Sequence, residues 1–150
     1  MAAKLHSPAK RGDVIRMLMA CPRAAHVLRL MISDMAQLGR GVSWVLMADD
    51  RPLAAAGLWP APSPAPDVAA LANGRPVVVL WFLSVPAAAD YLPMMVRHGR
   101  NEVRAIMAAG GVVVADIDPE HASGARLARL IGLAPRAHVG GHDLWSSPLT

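Results

Sequence analysis

Six histidines, one cysteine, one tyrosine and eleven carboxylates are the groups with which this 150-residue chain could do chemistry. Two of the histidines, His138 and His142, flank Gly140-Gly141 and suggest a metal site. The expected geometry opposes it. With Gly140-Gly141 as a two-residue hairpin turn, Val139 faces His142 and His138 faces Asp143. Successive cross-strand pairs point to opposite faces, so the two imidazoles diverge. Cys21 stands alone and cannot close an internal disulfide, which suits an intracellular or virion-internal chain. Methionines cluster at Met31 and Met35, where they could line a flexible ligand site, although Met more often fills irregular core gaps.

Composition narrows the class. Apolar residues make up 54% of the chain and charged residues 17%. No stretch is long and apolar enough to span a bilayer, and Met1 to Leu5 has no apolar core after it, so neither a membrane segment nor a secretory signal is expected. The length suits a single domain over residues 1–150. The formal charge of +4 favours polyanionic partners such as nucleic acid, a phosphorylated cofactor or an acidic protein. The abundance of Ala, Arg, Gly and Pro, as a GC-rich genome produces, accounts for the same charge and is the stronger explanation.

The elements that must position these groups centre on Val77-Val78-Val79-Leu80-Trp81-Phe82-Leu83-Ser84-Val85-Pro86. This run is apolar without alternation. Its β-branched content and flanking prolines favour a strand buried on both faces over a buried helix. Before it, a short strand or arm is expected around Lys4-Leu5-His6. A helix follows over Arg11 to Ala20, with Val14, Ile15, Leu18 and Met19 as its apolar face and Asp13 in its first turn. A second helix is expected over Arg23 to Leu38, then a hairpin from Val42 to Trp59 turning at Asp49-Asp50-Arg51-Pro52. Pro60 to Pro76 is rich in proline and reads as an extended surface connection.

After the central strand, Ala89 to Ala109 reads as a long helix. Its buried stripe is Leu92, Met95, Val96, Val103, Ile106 and Met107, with Gly99 in line, and its basic face is Arg97, Arg100 and Arg104. Val112 to Ile117 is a second apolar strand, so strand, helix and strand form a right-handed βαβ unit with parallel strands. Asp118-Pro119-Glu120 forms a turn. A short helix from His121 to Ile131 and a hairpin from Arg136 to Trp145 complete the chain.

This order of elements resembles the GNAT acyltransferase superfamily over nearly the whole length. The best local piece is Val114-Ala115-Asp116-Ile117-Asp118-Pro119-Glu120-His121 through Leu127-Ala128-Arg129-Leu130-Ile131-Gly132-Leu133. It looks like the family's C-terminal strand, turn, helix and Gly-Phe ending, with His121 at the usual Asn and Leu133 at the usual Phe. The pattern is also similar to GNAT-like proteins of tailed phages, including internal virion proteins, through Trp81 and Asp118. The resemblance implies an α/β fold with a mixed, mostly antiparallel sheet, a central parallel βαβ unit and helices on both faces. It implies acetyl transfer from acetyl-CoA to an amine, with no metal. The backbone of Leu83, Ser84 and Val85 would take the pantetheine arm. The N–H groups of Ala87, Ala88, Ala89, Asp90 and Tyr91 would take the phosphates.

Three departures weigh against that chemistry. The turn Pro86-Ala87-Ala88-Ala89-Asp90 lacks the family's glycines, and Asp90 would repel a phosphate. The central strand has no Glu to act as base, and Ala128 stands where the enzymes often carry a Tyr acid. His121 is the remaining titratable group near the implied site, although a single His at a helix start is more often a capping or surface residue. A catalytically silent GNAT-like protein acting through protein contacts, with phage structural proteins as partners, is the alternative.

Overall fold

The computed structural model describes residues 3–20, 41–120 and 122–149. The expected helix over Arg23 to Leu38, with Met31 and Met35, lies outside the described residues, as do Cys21 and His121. The strands form one seven-stranded sheet of order β1-β2-β3-β4-β5-β7-β6. They are β1 (Ala3–His6), β2 (Val42–Ala48), β3 (Arg51–Pro60), β4 (Val77–Ser84), β5 (Val112–Ile117), β6 (Ala134–Val139) and β7 (His142–Ser146). The fold is mixed α/β, mostly antiparallel, with β4 and β5 parallel. The chain divides into two compact units, Met1–Trp59 with Trp81–Leu92, and Pro60–Leu80 with Pro93–Thr150.

In the first unit, β1 pairs antiparallel with β2 and β2 with β3. The hairpin turn is tighter than Asp49 to Pro52. Asp49 adopts a left-handed φ of 54°, which Asp tolerates better than most residues, and Arg51 already pairs with Ala48. Pro52 is carried inside β3 because the register shifts between Leu46 and Met47, where a bulge accommodates a residue without an N–H. Helix α1 (Arg11–Ala20) packs Val14 and Met17 into a cluster with Val45, Ala55, Trp81 and Leu83. The inner face thus differs from the one expected: Ile15 and Met19 are exposed, and Met17 takes their place. The Trp81 indole lies over Gly57, the position in β3 where a side chain is missing.

In the second unit, the Pro60 to Pro76 stretch is not wholly extended. It contains helix α2 (Pro66–Ala72), which starts with Pro66 in its first turn and ends at Asn73 in the left-handed conformation. The dense prolines stop at Pro66, where a missing N–H costs nothing, and Asp67-Val68-Ala69-Ala70-Leu71-Ala72 can then coil. Val68, Leu71 and Ala72 cover Val77, Val112, Val114 and Leu144 on one face of the sheet. On the other face, the Arg129 guanidinium lies 5.4 Å from the Trp145 ring centroid, so helices cover both faces of this unit.

The long helix α3 (Leu92–Ala108) begins later than Ala89, because Pro86–Tyr91 forms a 3-10 turn ahead of it. Within its expected stripe only Val103 is buried, the other members being half-buried. Gly99 lets α3 approach Ile131 at the end of α4 (Ala122–Leu130), since a Cβ there would sit 2.9 Å from Ile131 Cγ2. Arg100 Nε donates to the Leu130 carbonyl at 2.6 Å, satisfying one of the orphan carbonyls at the end of α4. Burial also corrects the reading of β4. In β4 only Val77, Trp81 and Leu83 are buried, whereas Val112, Val113, Val114 and Ala115 of β5 are all buried. The doubly covered strand is β5.

Candidate functional site

The parallel ladder between β4 and β5 consists of Val77 with Val112, Val78 with Val113 and Val79 with Val114. Both strands run on, β4 to Ser84 and β5 to Ile117. Two hydrogen bonds fix which way each backbone group of β4 points. The Val77 carbonyl accepts from Ala61 N–H at 2.9 Å, and Val85 N–H donates to the Leu53 carbonyl of β3 at 3.0 Å. Both lie on the β3 side, at even spacing. Backbone groups alternate edges along a strand, so Leu83 and Val85 address β3, while Phe82 and Ser84 present their N–H and C=O to the opposite edge. Of Leu83, Ser84 and Val85, only Ser84 therefore has its backbone on the edge away from β3. Phe82, which the sequence reading did not single out, joins it. The alternation counted from Pro76, whose carbonyl accepts from Val112 N–H at 2.8 Å, gives the same parity.

The strand ends in Val85, in an extended conformation, and the 3-10 turn follows. This turn is poor in free donors. Pro86 has no N–H, Ala88 N–H donates to Val85 O at 2.9 Å, and Leu92 N–H donates to Ala89 O. Pro93 removes a further N–H from the first turn of α3. Ala87, Ala89 and Asp90 are exposed, Ala88 is buried and Tyr91 is half-buried. The residues present suit an extended polar chain along β4 through Phe82 and Ser84. For an anion the turn offers the amide of Ala87, since the i→i+3 bonding of the 3-10 turn takes the Ala89 N–H, and the Asp90 carboxylate is close in sequence.

The second unit carries the titratable groups. Ala128 is 3% exposed and has no polar side-chain atom, so this position supplies no acid. Asp118 Oδ1 accepts Glu120 N–H at 2.9 Å, closing the turn ahead of α4. The last hairpin has the register expected: His138 faces Asp143 and Val139 faces His142. His138 Nδ1 lies 2.7 Å from Asp143 Oδ1. His142 Nδ1 lies 3.9 Å from Asp116 Oδ1 of β5. Asp116 is opposite Leu144, two residues from His142, so Asp116 and His142 share a face; Asp143 and His138 occupy the other. The two histidines thus head two separate pairs. Among the described residues no group of three or more His, Cys, Asp or Glu could hold a metal ion, and no helix is long and apolar enough to cross a membrane.

No protein-family model and no curated protein sequence matches the chain. Solved structures do. A GNAT-family acetyltransferase structure from Desulfovibrio desulfuricans superposes with a TM-score of 0.64 at 15% identity, over 99% of this chain and 100% of the other. A Bacillus subtilis acetyltransferase in complex with CoA gives 0.60 at 9% identity, over 99% and 100%. The Salmonella typhimurium protein yncA with acetyl-CoA gives 0.62 at 14% identity, over 100% and 95%. These identities are far below those that carry function, but the coverage of both chains is nearly complete, and the mixed, mostly antiparallel sheet with β4 and β5 parallel matches that fold. The chain has the fold of the GNAT acetyltransferases.

Proposed function

We propose that the chain is an N-acetyltransferase that moves an acetyl group from acetyl-CoA to an amine. The observation that carries this reading is the fold: a mixed, mostly antiparallel sheet with β4 and β5 parallel, shared over nearly the whole of both chains with acetyltransferase structures. A pantetheine arm has amides spaced along an extended chain, and the β4 edge at Phe82, which faces away from β3, is the edge proposed to receive it. Two structural neighbours hold CoA or acetyl-CoA, which supports the same ligand here. Acetyl-CoA supplies a thioester carbonyl as electrophile. The chain's part is to orient it along β4, to receive the pyrophosphate at the Ala87 amide and to keep the incoming amine neutral.

A second reading is favoured by the turn itself. With Pro86 and Pro93 lacking an N–H, and with those of Ala88 and Leu92 committed, pyrophosphate binding loses most of its donors. A GNAT-like protein without turnover, acting through protein contacts in a phage virion or its assembly, fits that loss. Calorimetric titration of acetyl-CoA, followed by a free-thiol release assay with added amines, separates the two. Micromolar binding with thiol release supports the enzyme. An absence of heat at millimolar acetyl-CoA sinks it and leaves the interaction reading.

A further inference from the structure

We infer that the adjoining outer faces of α3 and α4 bind the phosphate backbone of a nucleic-acid duplex; the inference does not depend on the acetyltransferase reading. Composition accounts for how many arginines the chain has, but not for where they stand. In the second compact unit Arg97, Arg100 and Arg104 lie on α3 and Arg126 and Arg129 on α4, all of them exposed. A helix turns by about 100° per residue, so Arg97, Arg100 and Arg104 fall within about 60° of one another. Glu102, the one carboxylate on either helix, is about 140° or more away around α3. The other carboxylates of the unit stand on α2, β5, β7 and the turn before α4.

The two helices meet along this arginine flank. Gly99 brings α3 against Ile131, and Arg100 Nε donates to the Leu130 carbonyl at the end of α4. No ion pair among the described residues takes any of the five arginines. Two of them are held in place before any partner arrives, Arg100 by its bond to Leu130 and Arg129 by the Trp145 ring beneath it. Such ordering lowers the entropy lost on binding. Every charge on the face is a guanidinium, whose planar fork matches a phosphate with two parallel hydrogen bonds. Arg97 and Arg104 are about 10 Å apart along the axis of α3, so the patch suits a row of phosphates rather than one. Neither helix carries Phe, Tyr or Trp, and Trp145 is 3% exposed, so the face has no platform for stacking an unpaired base. That favours a duplex, contacted through its backbone, over a single strand.

The test is fluorescence anisotropy of the full chain with a short labelled duplex, made as DNA and as RNA of the same sequence. At about 50 mM salt a micromolar Kd is expected, with a slope of about −4 in log affinity against log salt. Arg97→Gln, Arg104→Gln and Arg126→Gln are combined in one variant, since these three make no hydrogen bond among the described residues. It should bind about 30-fold or more weakly, with a slope shallower by about 3. A charge-matched control combines Lys4→Gln, Lys10→Gln and Arg51→Gln, all exposed in the first unit, and should keep the slope and the affinity within about three-fold. Circular dichroism checks the fold of both. Binding to either duplex supports the inference, and the tighter of the two identifies the source. Equal losses in the two variants would show a response to net charge alone and overturn it. So would tighter binding of a single strand, equal binding of poly-glutamate, displacement of the duplex by millimolar acetyl-CoA, or no binding by the unaltered protein. The last of these leaves the acetyltransferase reading intact, because acetyl-CoA binding is measured separately.

Discussion

Gly57→Ala tests the packing on which the proposed arm-binding edge depends. A Cβ at this position would lie 2.2 Å from Trp81 Nε1, 2.4 Å from Cε2 and 2.6 Å from Cζ2. An ordinary contact of this kind is about 3.5–4.0 Å, so the indole must retreat by more than about 1 Å. It has little room to do so. Trp81 is 7% exposed and packs with Val14, Met17, Val45, Ala55 and Leu83. The Trp59 ring, 6.5 Å away between centroids, is a further neighbour. A rigid bicyclic ring cannot relieve the clash as a flexible side-chain end would. The cost is expected at about 2–3 kcal/mol, the upper part of the overpacking range. In a chain of this size that lowers Tm by roughly 4–12 °C. Thermal denaturation followed by circular dichroism reads it. Trp81→Phe in the Gly57→Ala background should recover part of the loss, giving a coupling energy between the two sites. Because Trp81 opens the half of β4 that contains Phe82 and Ser84, Gly57→Ala should also weaken acetyl-CoA binding. A Tm equal to that of the unaltered protein, with no coupling to Trp81→Phe, would refute the argument.

Three further outcomes are expected. Gly12→Ala, in α1 where nothing lies within 4 Å of the added carbon, should stabilise the protein by about 0.5–1 kcal/mol in urea denaturation. Ser147→Ala should destabilise it by about 1–3 kcal/mol, because Ser147 Oγ accepts the buried Val113 N–H at 3.0 Å and that donor would lose its partner; the midpoint in urea should fall with the slope unchanged. Asp90→Asn should tighten acetyl-CoA binding by about two- to five-fold at low salt, with the gain fading as ionic strength rises; an unchanged affinity would place the phosphates away from the turn.

Much of the fold was legible from local pattern. The β-branched runs gave β4 and β5, and the Gly140-Gly141 signal gave the last hairpin with its register, including the divergence of His138 and His142. The Arg11 to Ala20 helix was also legible, but not its inner face. Of the expected face Val14 is buried, but Ile15 and Met19 are exposed and Met17 is buried in their place, a choice that depends on what α1 packs against. Proline density hid α2, since a short run of good helix formers after Pro66 is outweighed in a composition reading. Ala89 to Tyr91, the end of the 3-10 turn, read as helix because they differ from the start of α3 in hydrogen-bond spacing, not in residue type.

The sequence by itself determined which chemical groups are present and which are missing. It holds no glycine in the turn after β4, no carboxylate within β4 and no hydroxyl at Ala128, and these are properties of single residues. It also determined the strands, because side-chain alternation and turn chemistry act over a few neighbours. Only the tertiary structure decided that β5 rather than β4 is covered on both faces, that Phe82 and Ser84 turn their backbone away from β3, and that Asp116 meets His142. Each of these depends on which strand lies beside which. Strand order is set by the burial of whole faces against helices distant in sequence, and no local period records it.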